Sequence, residues 1–245
     1  MRLFKRRTGD LTPFSQLGFK ELILARLRFL SILVLLSLLL TLCCGKKEGN
    51  TEGADRYLPR FLLHPHAREQ FFGYLSANDF RSAESLLKNQ LSKSPNDPSI
   101  LDWIGSLRFM AGDIDSALEY YKKAIEADPS YAHTYFDRGS LYLNLEKYDL
   151  ALIDLKKAVK IDPEYHDFQL ALGSALLTIG NIDESLIYLS KAVSTDQNST
   201  TAKLYLGLAY TEKGDYEKAN ELFQWIIRNH PDSYEAQLLK EQMGY

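Results

Sequence analysis

ALEYYKKAIEADP, residues 117–129, and ALIDLKKAVKIDP, residues 151–163, decide the fold. They begin 34 residues apart and share Ala-Leu, Lys-Lys-Ala and Asp-Pro at matching places. Working outward, residues 98–131, 132–165, 166–199 and 200–233 align beneath one another without insertion. Gly105, Gly139, Gly173 and Gly207 form one column, and Ala117, Ala151, Ser185 and Ala219 a second. Tyr121, Leu155, Leu189 and Phe223 form a third, and Pro129, Pro163, Gln197 and Pro231 a fourth. An earlier copy, 64–97, keeps the register with Ala83, Leu87 and Pro95 but carries Phe71 in the glycine column. A fixed period of this length marks a stack of small repeated units.

Each unit offers two stretches, such as 98–111 and 114–127, with apolar residues at three- and four-residue spacing, the period of an amphipathic helix. The glycine column falls inside the first stretch. Gly there costs about 1 kcal/mol relative to Ala, so a close approach of the second helix, at the Ala117 column, is expected to require it. A further column holds Asn78, Gly112, Glu146, Gly180 and Gly214, where Gly or Asn can take the left-handed conformation that ends a helix. The prolines stop the second helix. A single helix pair cannot bury its apolar face, whereas stacked pairs can.

These columns resemble the tetratricopeptide repeat, and 117–129 and 151–163 are similar to its second helix. The resemblance covers 64–233 as five repeats and departs from the pattern at Phe71, Gln90, Ile226 and Gln197. It implies an all-α fold, a right-handed α-solenoid of five helix pairs and about eleven helices. Residues 234–245 are expected to supply the closing helix, with Tyr234, Leu238 and Leu239 toward the stack and Glu235, Lys240 and Glu241 outward.

The N-terminal region has a different character. Residues 1–42 hold seven Lys and Arg against two acids, a net of +5; the whole chain is −3, so 43–245 carries −8. Phe29–Leu42 is 14 residues without a charge. As a helix it reaches about 21 Å, short of a ~30 Å bilayer core. A basic stretch followed by a short apolar core is the layout of a secretory signal; a retained signal anchor extended through Leu22–Leu24 is the alternative. The chain's two cysteines, Cys43 and Cys44, stand at the end of this run and build neither a disulfide framework nor a four-ligand metal site. Leu40-Thr41-Leu42-Cys43-Cys44-Gly45 resembles a bacterial lipobox, which implies acylation of Cys43 or Cys44 and a chain held at a membrane of the cell envelope, facing the periplasm or the cell surface. The long stretch before the apolar run also fits translation starting nearer Leu22–Leu27. Residues 1–44 thus read as signal and lipobox, and 45–63 as a polar, aperiodic tether.

Chemistry-bearing motifs are sparse. No Gly-rich phosphate loop, nucleophile elbow or paired zinc-ligand motif is present, and the glycines are accounted for by the repeat. In His64-Pro65-His66 the proline forbids a helical ligand pair. Asp113/Asp115 and Asp183/Glu184 sit where second helices begin and complement the helix dipole. Lysines are too dispersed, in a region of net −8, for a nucleic-acid surface. The expectation is a scaffold, not an enzyme, with no cofactor and no metal.

The family resemblance implies that the concave face of the first helices binds partners. In this register its lining includes Arg68, Phe72 and Leu75, then Asp102, Ser106, Phe109 and Met110, then His133, Phe136, Ser140, Leu143 and Asn144. Asp167, Leu170, Ser174 and Leu177 follow, then Leu204, Leu208 and Thr211. The lining is apolar and hydroxylic, and lacks the cluster of Lys, Arg and Asn that clamps a terminal carboxylate in some members. An amphipathic helix or extended apolar segment of a protein partner suits it. Self-association, packing of these residues within the solenoid itself, and carriage of a small apolar ligand or lipid are the alternatives.

Overall fold

The computed structural model describes residues 58, 59, 62 and 64–243. The region 1–57, with the signal, the lipobox and both cysteines, lies outside the described residues. Among the described residues no helix is long and apolar enough to cross a membrane.

The described residues form eleven α-helices and no strand. They are α1 (Pro65–Ser76), α2 (Phe80–Leu91), α3 (Pro98–Met110), α4 (Ile114–Ala127), α5 (Ala132–Asn144) and α6 (Tyr148–Ile161). They continue as α7 (His166–Thr178), α8 (Ile182–Thr195), α9 (Thr200–Lys213), α10 (Tyr216–Asn229) and α11 (Tyr234–Met243). Each helix packs on its chain neighbours, and the odd-numbered helices α3, α5, α7 and α9 also touch one another in sequence. This is an α-solenoid whose inner layer is α1, α3, α5, α7 and α9.

The turns within pairs follow the punctuation column. Asn78, Gly112, Glu146, Gly180 and Gly214 all have φ between 55° and 86°. Asn and Gly tolerate this region, whereas Glu146 adopts it against its steric preference. The next helix is then capped by Asp79, Asp113 or Asp215, whose side chains accept from the backbone N–H of Ser82, Ser116 and Lys218.

The glycine column has a different partner from the one expected. A Cβ at Gly105 would lie 2.7 Å from Tyr121 Cε1, and one at Gly173 would lie 2.7 Å from Leu189 Cγ. The small residue contributes its backbone: Ala117 O would be 3.3 Å away from a Cβ at 105. Glycine thus makes room for the bulky third column, and the small second column lets the backbones approach.

Asp154 and Arg138 replace an apolar pair. Their repeat positions hold Ile104 and Tyr120, Leu172 and Tyr188, or Leu206 and Leu222 in the second, fourth and fifth repeats, and Gln70 and Leu86 in the first. In the third repeat Arg138 donates twice to Asp154, at 2.7 and 2.8 Å, and the Asp154 carboxylate is buried.

The first repeat compensates for its missing glycine with aromatics. Phe71 stands edge-on to Trp103 at 5.3 Å between centroids and to Phe72 at 5.4 Å. Leu58 and Leu62, from the stretch read as tether, are buried in the same cluster. The closing helix also departs from its expected faces. Leu238 and Leu239 are buried, but Tyr234 is exposed and Glu235 is buried, because Thr201 Oγ1 donates to Glu235 at 2.7 Å. The buried stripe is therefore Glu235, Ala236, Leu238 and Leu239.

Candidate functional site: the inner helical face

The inner helices bury more of their expected lining than an open groove would. Phe72, Asp102, Ser106, Phe136, Ser140, Leu170, Leu177, Leu204 and Leu208 are buried within the chain. Phe109, Met110, His133, Leu143, Asn144 and Ser174 remain half-buried. Arg68, Asp167 and Thr211 are half-buried as well, so the accessible part is a band that runs from α1 to α9, and its apolar members lie at the C-terminal ends of α3 and α5. Apolar exposure also occurs on second helices, where Ile153 and Ile187 are 65% and 66% exposed and share one repeat position. Reading the inner face alone misses these two.

Beneath the band lies a polar cluster joining the second and third repeats. His133 Nδ1 is 3.0 Å from Asp102 Oδ2 and 3.6 Å from Asp137 Oδ2. Asp137 Oδ2 accepts from Ser106 Oγ at 2.6 Å, and Ser106 Oγ is 3.1 Å from the Tyr121 hydroxyl. Since Ser106 spends its single proton on Asp137, Tyr121 donates to Ser106. Burial and the nearby carboxylates push the Tyr121 phenol well above its ordinary value, which keeps it a donor. Asp102 is 0% and Asp137 3% exposed.

The electrostatics of the cluster favour a charged imidazole. Burial on its own would lower His133, but Asp137 and Asp102 override it and raise the group above its ordinary range. Burial raises Asp137 despite the pull of His133. Asp102 and His133 were each legible as lining residues. Asp137 was not, because its repeat position holds Trp103, Ala171 and Tyr205 in the second, fourth and fifth repeats, against Glu69 in the degenerate first one, and reads as core. The signal was a His and an Asp four apart on one helix.

A second recurring contact was also missed. Tyr135 Oη donates to Pro129 O at 3.2 Å, Gln169 Nε2 to Pro163 O at 2.6 Å, and Lys203 Nζ to the Gln197 carbonyl. The three donors share one repeat position and tie α5, α7 and α9 to the end of the preceding repeat. Gln197 can stand for proline because its backbone carbonyl makes the contact. Lys203 Nζ also lies 3.8 Å from the Trp225 ring centroid.

Family profiles agree with this geometry. One described as TPR repeat matches residues 105–146, and others described as tetratricopeptide repeat match 132–165, 166–199 and 201–233. Together they span more than half of the chain.

The chain belongs to the tetratricopeptide repeat family.

Solved tetratricopeptide structures superpose on it. TTC0263, a thermophilic TPR protein in Thermus thermophilus, is 19% identical with a TM-score of 0.60, covering 74% of this chain and 98% of that one. MamA 41-end from Desulfovibrio magneticus RS-1 is 24% identical with a TM-score of 0.57, covering 68% and 96%. YrrB, described as a TPR protein with an unusual peptide-binding site, is 23% identical with a TM-score of 0.55, covering 69% and 87%. At these identities the likeness concerns the fold. No curated protein matches the sequence. Tetratricopeptide membership carries a coarse function with it, that of a protein–protein interaction scaffold.

Proposed function

We propose that the chain is a membrane-anchored, extracytoplasmic scaffold whose inner helical face receives an apolar or amphipathic segment of a protein partner. The observation that carries the partner reading is the half-buried band of Phe109, Met110, Leu143, Asn144 and Ser174. Apolar side chains there alternate with amide and hydroxyl groups, which suits a partner helix or strand with one apolar face. YrrB, a similar array, is described as having a peptide-binding site, which supports a peptide or protein partner for this one.

The anchor rests on the sequence: the basic flank, the apolar run Phe29–Leu42, and Cys43-Cys44 directly after it. Two acyl chains or more hold a protein stably at a membrane, whereas one does so only marginally. The location that follows is the bacterial cell envelope.

Two measurements test the two halves. The N-terminal peptide mass of chain purified from its own membrane, beside a Cys43→Ala, Cys44→Ala variant, tests the anchor. A mature end at Cys43 or Cys44 carrying acyl mass supports it, and an unacylated chain retaining residues 1–42 overturns it. Phe109→Asp with Leu143→Asp tests the face. Loss of the co-purifying partner at unchanged helicity supports it, and undiminished recovery overturns it.

A further inference from the structure

The cluster beneath the inner face sets two carboxyl groups against a single imidazole. Two carboxylates, Asp102 and Asp137, face one His133 in a region that water barely reaches. Asp102 Oδ1 and Asp137 Oδ1 are both buried without a hydrogen-bond partner. A buried polar atom left unsatisfied costs about 1–3 kcal/mol, and more when it is charged. Two such atoms in one cluster point to a positive group held there.

We propose that Asp102, His133 and Asp137 bind a divalent transition-metal ion, with Zn2+ as the reference ion. One ligand atom from each lies within 4.8 Å of the others. Tetrahedral zinc with bonds of about 2.1 Å sets its ligands roughly 3.4 Å apart. The separations of 3.0 and 3.6 Å from His133 Nδ1 to the two carboxylates bracket that value. Two carboxylates, one neutral imidazole and a divalent ion sum to zero charge. A mixed nitrogen and oxygen set is the donor chemistry of zinc and its neighbours rather than of calcium.

The surroundings fit a ligand set. His133 and Asp137 are four residues apart on α5, so both reach the same side of the helix. Asp102 comes from α3, so the ion would bridge two successive repeats. The Tyr121–Ser106–Asp137 chain fixes the orientation of the Asp137 carboxylate, as outer partners do around metal ligands. The His133 side chain, 18% exposed, is the open edge by which an ion enters. The sequence expectation of no metal weighed only familiar paired-ligand spacings, and these three residues follow none of them. The site does not depend on the partner reading.

The test uses the full chain in detergent, with Cys43→Ser and Cys44→Ser to remove thiolates, after treatment with a chelator. Titration with Zn2+ and Co2+ by calorimetry is expected to give about one ion per chain, with affinity weakened roughly tenfold or more in Asp102→Asn and Asp137→Asn. Circular dichroism reports whether these variants stay folded, and exposed Glu164→Gln is expected to bind as the parent does. If the variants unfold, anomalous diffraction from the Zn2+-soaked parent decides: a peak between α3 and α5 at His133 supports the site. Absence of stoichiometric binding, full affinity in the folded asparagine variants, or a peak elsewhere, as at His64 and His66, overturns it.

Discussion

Tyr121 fills the space that a side chain at position 105 would need: a Cβ there would come within 2.7 Å of its ring. Tyr121 is fully buried and its hydroxyl is held by Ser106, so the ring cannot swing away. Gly105→Ala is therefore expected to destabilise the chain by about 1–2 kcal/mol, overpacking outweighing the better helix propensity of Ala. Gly73 is the internal control, being helical with nothing within 4 Å of its Cβ position. Gly73→Ala is expected to stabilise by up to about 1 kcal/mol. Urea melts followed by circular dichroism separate the two signs.

Arg138 and Asp154 occupy positions that are apolar or aromatic in the second, fourth and fifth repeats. Removing one partner strands a buried charge, so Asp154→Ala is expected to cost about 3–5 kcal/mol. Replacing both, Arg138→Leu with Asp154→Leu, copies Leu206 and Leu222 of the fifth repeat and is expected to be neutral or stabilising. A double variant as unstable as Asp154→Ala would contradict this reading.

Glu146 holds φ at 56° where three of the equivalent residues are glycine. A left-handed non-glycine residue costs about 1–2 kcal/mol, part of which glycine returns as chain entropy. Glu146→Gly is thus expected to raise stability by roughly 0.5–1 kcal/mol. A thermal melt lower than the parent's would contradict it.

Glu84 couples the first repeat to the second, accepting from Arg108 at 2.6 Å while Lys88 lies at 2.8 Å. Burial tends to raise its carboxyl, but the Lys88 and Arg108 contacts override that and hold it below its ordinary value of 4.5. A depressed folded value favours the charged form in the folded chain. The stabilisation is complete above the unfolded value and is lost as pH falls through the folded one. The stability gap between the parent and Glu84→Gln is therefore expected to be constant near neutrality and to shrink below about pH 4.5. A gap unchanged down to about pH 3 would contradict the assignment.

Much of the fold was legible because the 34-residue columns each answer a backbone or packing demand. The left-handed turns at Gly112, Gly180 and Gly214 follow from residue type alone, and Asp113 was placed at the start of its helix. What escaped depends on which atom a neighbour presents. The obstacle to Gly105 is the Tyr121 ring rather than Ala117, and the burial of Glu235 depends on a hydroxyl 34 residues upstream. The inner face was legible as a set of positions. How much of it closes on itself was not, since Phe136, Leu170 and Leu204 are buried in clusters that draw on more than one helix and repeat. Asp137 was hidden because charge at a core position looks like an exception until Asp102, one repeat earlier, is seen beside it.

Position-resolved photo-crosslinking in the native membrane tests the central claim, that the partner lies on the inner face. A photo-reactive amino acid is placed in turn at Phe109 and Leu143 on inner helices and at Ile153 and Ile187 on second helices. The account predicts one partner adduct from 109 and 143 and none from 153 or 187. The same adduct formed from 153 and 187, with none from the inner positions, would contradict it.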